Sequence, residues 1–120
     1  MPTVMVVDDS SVARKNLINM LTKAGYDVIL EVDNGIKAID YYKKSYPDIV
    51  AMDVELPDID GIEATKQILK INPKAKIIMI SMHNEKNLVF EALKIGAKHY
   101  IVKPFSYEKI IDIFDKVSRL

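Results

Sequence analysis

The chain has 120 residues, 49% hydrophobic and 28% charged, the size and balance of one compact globular domain spanning 1–120. Seventeen basic residues balance seventeen acidic ones, and zero net charge argues against nucleic-acid binding through a basic field and against a polybasic membrane anchor. With no cysteine there is no disulfide scaffold, thiolate metal site or cysteine nucleophile, which fits a reducing cytoplasm.

In chain order, the first apolar run is Val4–Val7, which meets Asp8 and Asp9 at once and so reads as a strand rather than a signal peptide. Ala13, Leu17, Leu21 and Ala24 then repeat at helical spacing until Gly25. Val28–Leu30 predicts a second strand, and Ile36, Ile39 and Tyr42 a second helix closed by Pro47. Ile49–Met52 predicts a third strand, followed by a helix on Ile62, Thr65, Ile68 and Leu69 that ends before Asn72-Pro73. Ile77–Ile80 predicts a fourth strand, and Leu88, Val89, Ala92, Leu93 and Ile95 a helix stopped by Gly96. Tyr100–Val102 and the stripe Ile110, Ile113, Phe114 and Val117 complete the series. No apolar run approaches the length of a bilayer span.

Five strands alternating with five helices predict an α/β fold, a doubly wound (βα)5 sandwich around a parallel sheet. The strand runs are unbroken rather than alternating, as in strands buried on both faces. Such sheets carry their sites at the carboxyl ends of the strands. There the chain places Asp8-Asp9, Asp53, Ser81 and Lys103-Pro104, while Glu31 and Asp33 follow the second strand. Converging carboxylates repel unless a cation holds them, and an oxygen-only set favours Mg²⁺. A lysine and a hydroxyl opposite suit phosphoryl oxygens, and an aspartate can be the nucleophile. The chemistry inferred is Mg²⁺-assisted phosphoryl transfer to Asp53. Singly, each element has a plainer reading: Asp-Asp or Ser10-Ser11 as a helix cap, Lys-Pro as a loop entry. The conjunction carries the weight.

The segments VMVVDDSSVARKNL, IVAMDVELPDIDGIEA, IIMIS and GAKHYIVKPF resemble the receiver domain of two-component response regulators, most of all its single-domain chemotaxis members. They span Val4 to Phe105 in the family's order. The resemblance implies a flavodoxin-like strand order 2-1-3-4-5. It implies Asp53 as phosphoacceptor, Asp9 as direct Mg²⁺ ligand, Asp8 as its water-mediated neighbour, and the Glu55 backbone carbonyl as a further ligand. Lys103 would contact the phosphoryl group, Ser81 would swing toward it, and Tyr100 would then turn inward. The bond before Pro104 would be cis. No organic cofactor is implied. The implied partners are a sensor histidine kinase and a downstream effector, such as a flagellar motor switch, meeting the face of the fourth helix, fifth strand and fifth helix. Phe90, Lys94, Tyr100 and Lys109 lie on those elements. The chain would be a cytoplasmic monomer that catalyses only its own phosphorylation and dephosphorylation.

Met82 departs from the family pattern, where a small residue follows the switch hydroxyl. It either narrows the approach to Asp53 or folds into a local apolar gap. Glu55 and His83 hold variable positions that influence the phosphoryl lifetime in the family. His83 and His99 otherwise read as loop or structural histidines. Asp58-Ile59-Asp60-Gly61 looks like a haloacid-dehalogenase DxDG motif, but Leu56-Pro57 separate it from its strand, and a loop with a helix start at Gly61 explains it better. Three alternatives stand beside the main reading: a DNA-binding regulator's receiver, a phosphorelay carrier, and a flavodoxin-like flavin binder. Against the first, Ala97-Lys98-His99 lacks an acidic pair, and the chain ends at Leu120 without a linker. Against the third, Asp8-Asp9 would repel a flavin phosphate.

Overall fold

The computed structural model describes residues 2–120. The elements alternate as β1 (Thr3–Val7), α1 (Ser11–Lys23), β2 (Asp27–Val32), α2 (Gly35–Ser45), β3 (Ile49–Met52), α3 (Gly61–Ile71), β4 (Lys76–Ser81), α4 (Lys86–Lys94), β5 (His99–Val102) and α5 (Tyr107–Ser118). All strand pairs are parallel, in the order β2-β1-β3-β4-β5. Among the described residues no helix is long and apolar enough to cross a membrane.

Alternation of side chains makes two cores from one sheet. Met5, Val7, Val50, Met52, Ile77 and Met79 face α2, α3 and α4, and Val4, Val6, Ile49, Ala51, Ile78 and Ile80 face α1 and α5. Both sets are buried, so β1, β3 and β4 read as continuous apolar runs.

The edge strand β2 differs from the expectation of burial on both faces. It is longer than Val28–Leu30, and Asp27, Ile29 and Glu31 are exposed. Val4 lies opposite Val28 but Met5 lies opposite Leu30, which leaves Ile29 as an extra, bulged residue. One extra residue exchanges the faces beyond it. Val28 packs on the α1–α5 side, whereas Leu30 and Val32 pack on the other. Glu31 therefore lies inside the strand rather than after it, opposite Val6.

The second helical stripe also needs correction. Ile36 is 60% exposed, and the buried face is Gly35, Ala38 and Tyr42. Gly35 lies so close to Ile59 that a Cβ there would meet its side chain at 2.6 Å, which turns the neighbouring Ile36 outward.

The Asp58–Gly61 loop behaves as a helix start. Asp60 caps α3 by accepting from the Glu63 amide at 2.8 Å. Asp58 reaches across to α2 and accepts from the amides of Gly35 and Ile36, both at 2.9 Å. Desolvation works to raise the pKa of its carboxylate, but those amides together with that of Ile59 outweigh it and hold the value below the ordinary one. Gly61 has a steric reason: a Cβ would lie 1.9 Å from the Asp53 carbonyl oxygen. Gly61→Ala must displace backbone directly beneath Asp53, at a cost of about 1–3 kcal/mol. Urea melts measure it, and a loss below about 0.5 kcal/mol, the level of an ordinary surface change, contradicts the assignment.

Candidate functional site: an acidic crevice at the strand ends

The carboxyl ends of β1, β3 and β4 open into a crevice of about 220 Å³, lined by Asp8, Asp9, Asp53, Glu55, Ser81, Met82, His83 and Lys103 among others. Asp8 and Asp53 are 6% and 8% exposed, and Ser81 is 1% exposed. Asp9 is exposed at the rim. Lys103, from the loop after β5, places Nζ 2.7 Å from Asp8 Oδ2 and 3.6 Å from Asp53 Oδ2. Burial alone would lower the Lys103 pKa, but Asp8 and Asp53 outweigh it and raise the value. The Lys103-Pro104 bond is cis, as the family resemblance implies.

Local structure relieves the acid pair of capping α1. The cap of α1 is Ser10, whose side chain accepts from the Ala13 amide at 3.2 Å. Asp8 Oδ1 accepts from the Ser10 amide at 2.9 Å. The Asp8 carbonyl accepts from Arg14 Nη1 at 2.6 Å, and Arg14 Nε donates to Glu31 at 3.1 Å. Glu31 and Asp33 thus stay out of the crevice: Glu31 pairs with Arg14, and Asp33 lies 3.9 Å from Lys37.

Asp8, Asp9 and Asp53 each offer an oxygen within 4.8 Å of the others. The Asp53 carboxyl is pushed up from 3.8 to about 6, first by burial and then by the Asp8 charge, against Lys103 and the amides of Val54 and Glu55. Three hard oxygen donors this close together fit a divalent cation such as Mg²⁺.

The remaining expected residues gather at the same mouth. Ser81 Oγ accepts from the His83 amide at 3.1 Å. Tyr100 is turned inward and donates its hydroxyl to the His83 carbonyl at 2.7 Å. The His83 ring bridges two carboxylates, Glu55 through Nε2 and Glu85 through Nδ1, and these bonds raise its pKa. Neither this bridge nor the Arg14–Glu31 pair was anticipated from sequence. Met82 is 74% exposed beside the crevice, so it does not fill an apolar gap. His99 accepts from the Tyr100 amide at 3.1 Å and stands apart from the site.

The family description "Response regulator receiver domain" matches residues 4–115. The chain belongs to the response regulator receiver family. It is 46% identical to the chemotaxis protein CheY of Thermotoga maritima over 116 residues, 97% of each chain. It is 38% identical to that of Bacillus subtilis over 94% of each. The solved CheX–CheY–BeF3–Mg²⁺ complex of Borrelia burgdorferi superposes with a TM-score of 0.93 at 35% identity, covering 96% of this receiver and 87% of that chain. A receiver is a signalling switch activated by phosphorylation, with CheY-like chemotaxis control in these relatives, and the flavin-binding alternative falls.

The shift at Asp53 has a measurable sign. A carboxylate whose folded pKa lies above its unfolded one contributes stability at low pH and loses it as pH rises from 3.8 through about 6. In chelator, Asp53→Asn should therefore melt above wild type at neutral pH, with the gap closing in acid. Equal melting at neutral pH would show that Asp53 is not strained.

Proposed function

We propose that this receiver accepts a phosphoryl group from a sensor histidine kinase on Asp53 and thereby changes the partner preference of a distant face, in CheY-like control of motility. One observation carries the reading: Asp53 is a buried strand-terminal carboxylate with an oxygen within 4.8 Å of Asp8 and Asp9 and 3.6 Å from Lys103 Nζ, which also contacts Asp8. An Asp53 carboxylate oxygen forms the new O–P bond as the N–P bond of the donor phosphoimidazole breaks, and the electron pair leaves on the imidazole nitrogen. Asp8, Asp9, Asp53 and the Glu55 carbonyl would hold Mg²⁺, which supplies positive charge toward the phosphoryl oxygens when bound. Lys103 Nζ already stands beside the Asp53 carboxylate and supplies a fixed positive charge there. Ser81 offers a hydroxyl from the end of β4.

The loop after β4 carries the response outward. Tyr100 ties its hydroxyl to the His83 carbonyl, so a shift of Ser81–His83 toward Asp53 acts on β5 through that bond. Phe90, Leu93 and Val102 are exposed on α4 and β5 and suit an effector protein on the α4–β5–α5 face. Turnover is confined to the receiver's own phosphorylation and hydrolysis.

Asp53→Asn should abolish acyl-phosphate formation. Acetyl phosphate and Mg²⁺, followed by borohydride trapping and mass spectrometry, locate the label, and label on Asp58 or Asp60 would sink the assignment. The exposed Met82 generates a second expectation, because a protein donor must pass it. Met82→Ala should speed phosphorylation by a kinase phosphohistidine more than by acetyl phosphate, by about threefold to tenfold, or about 0.7–1.4 kcal/mol of barrier. Stopped-flow rates with both donors test this, and equal or reduced rates refute crowding.

A further inference from the structure

We propose that Arg14 and Glu31 form a strut that positions the Asp8–Asp9 turn for divalent-cation binding, a role that rests on the metal reading above. Arg14 stands in the opening turns of α1, where the helix dipole disfavours a cation, and the first turn holds no acidic residue to offset it. Its side chain is nonetheless only 15% exposed. Such a placement needs partners, and the guanidinium has two: the Asp8 carbonyl at 2.6 Å and Glu31 Oε1 at 3.1 Å.

The carbonyl needs a donor because β1–β2 pairing ends just before it. Val7 lies opposite Val32, and the Asp8 amide donates to the Val32 carbonyl at 3.0 Å. Arg14 bonds the Asp8 oxygen that lies beyond that last rung. Asp8 is then held at three oxygens: Oδ1 by the Ser10 amide, Oδ2 by Lys103, and the carbonyl by Arg14. That carbonyl belongs to the peptide joining Asp8 to Asp9, so its direction sets the peptide plane from which the exposed Asp9 departs. Among the described residues no side-chain hydrogen bond or ion pair holds the Asp9 carboxylate.

Glu31 makes the strut rigid rather than merely attached. The planar guanidinium donates in two directions, and anchoring Nε leaves Nη1 aimed at one place. Glu31 can reach α1 only because Ile29 is bulged; without the extra residue it would point toward α2. Lysine at position 14 would keep the charge but satisfy only one acceptor at a time.

Mg²⁺ titration calorimetry on the full chain tests the strut with Arg14→Ala, Arg14→Lys and Glu31→Gln, alongside urea melts in chelator. Partners that orient a metal ligand typically contribute about 10–100-fold in affinity. Arg14→Ala should weaken Mg²⁺ binding by about tenfold, Arg14→Lys by most of that, and Glu31→Gln by a smaller factor absent in the Arg14→Ala background. In metal-free protein the ¹⁵N order parameter of the Asp9 amide should fall in Arg14→Ala. Unchanged Mg²⁺ affinity, whatever the melts show, overturns the strut as a positioning device, and full rescue by lysine reduces it to a charge effect and overturns it equally. Failure of the underlying reading looks different: wild type itself would then show no Mg²⁺ binding.

Discussion

The strand-end architecture turns on one ammonium group that reaches across the sheet. Lys103 leaves the loop after β5, crosses the ends of β4 and β3, and contacts both Asp8 and Asp53. Without it, two nearly buried carboxylates from adjacent strands would face one another in a poorly solvated cleft, where like charges cost far more than in water. Its own charge is stabilised in return. A parallel sheet with this strand order brings the ends of β1 and β3 side by side and leaves the opposing cation to come from farther along the sheet.

Around that centre, small local devices keep the crevice geometry independent of the helices' own needs. Ser10 caps α1, which spares Asp8 and Asp9 that duty. Asp60 caps α3, and Asp58 accepts from the first two amides of α2, so the loop following Asp53 is pinned to two helices at once. Gly61 then lets the start of α3 lie against the Asp53 backbone. The loop carrying the central carboxylate is therefore rigid from below and open above, where Met82 and the His83 bridge stand at the rim.

Much of this was legible from the chain because central strands buried on both sides leave unbroken apolar runs, and because residues directly after such runs fall at one end of the sheet. Asp8, Asp9, Asp53, Ser81 and Lys103 were all found that way, and the structure brings them together. The edge strand was less legible, since Val28–Leu30 looks like a two-sided run only because a bulge redistributes its side chains. Ile36 misled for a related reason: helical spacing identifies a stripe, but the close approach of Gly35 to Ile59 decides which stripe is inward. Long-range polar pairs such as Arg14–Glu31 and Asp58 with α2 leave no periodic trace, although a cation in the opening turns of a helix is a local anomaly that could have drawn attention to Arg14.

The bulge at Ile29 has a second consequence, for association between molecules. β2 is an outer strand, and such a strand offers free backbone groups on which another chain could template itself. An extra residue breaks the regular pleat, increases the local twist and spoils the straight rail that a second sheet would need. Exposed Asp27 beside the irregularity adds negative charge that a second copy's identical edge would repel. The same single residue that turns Glu31 toward α1 thus also makes the sheet edge a poor seed for self-pairing.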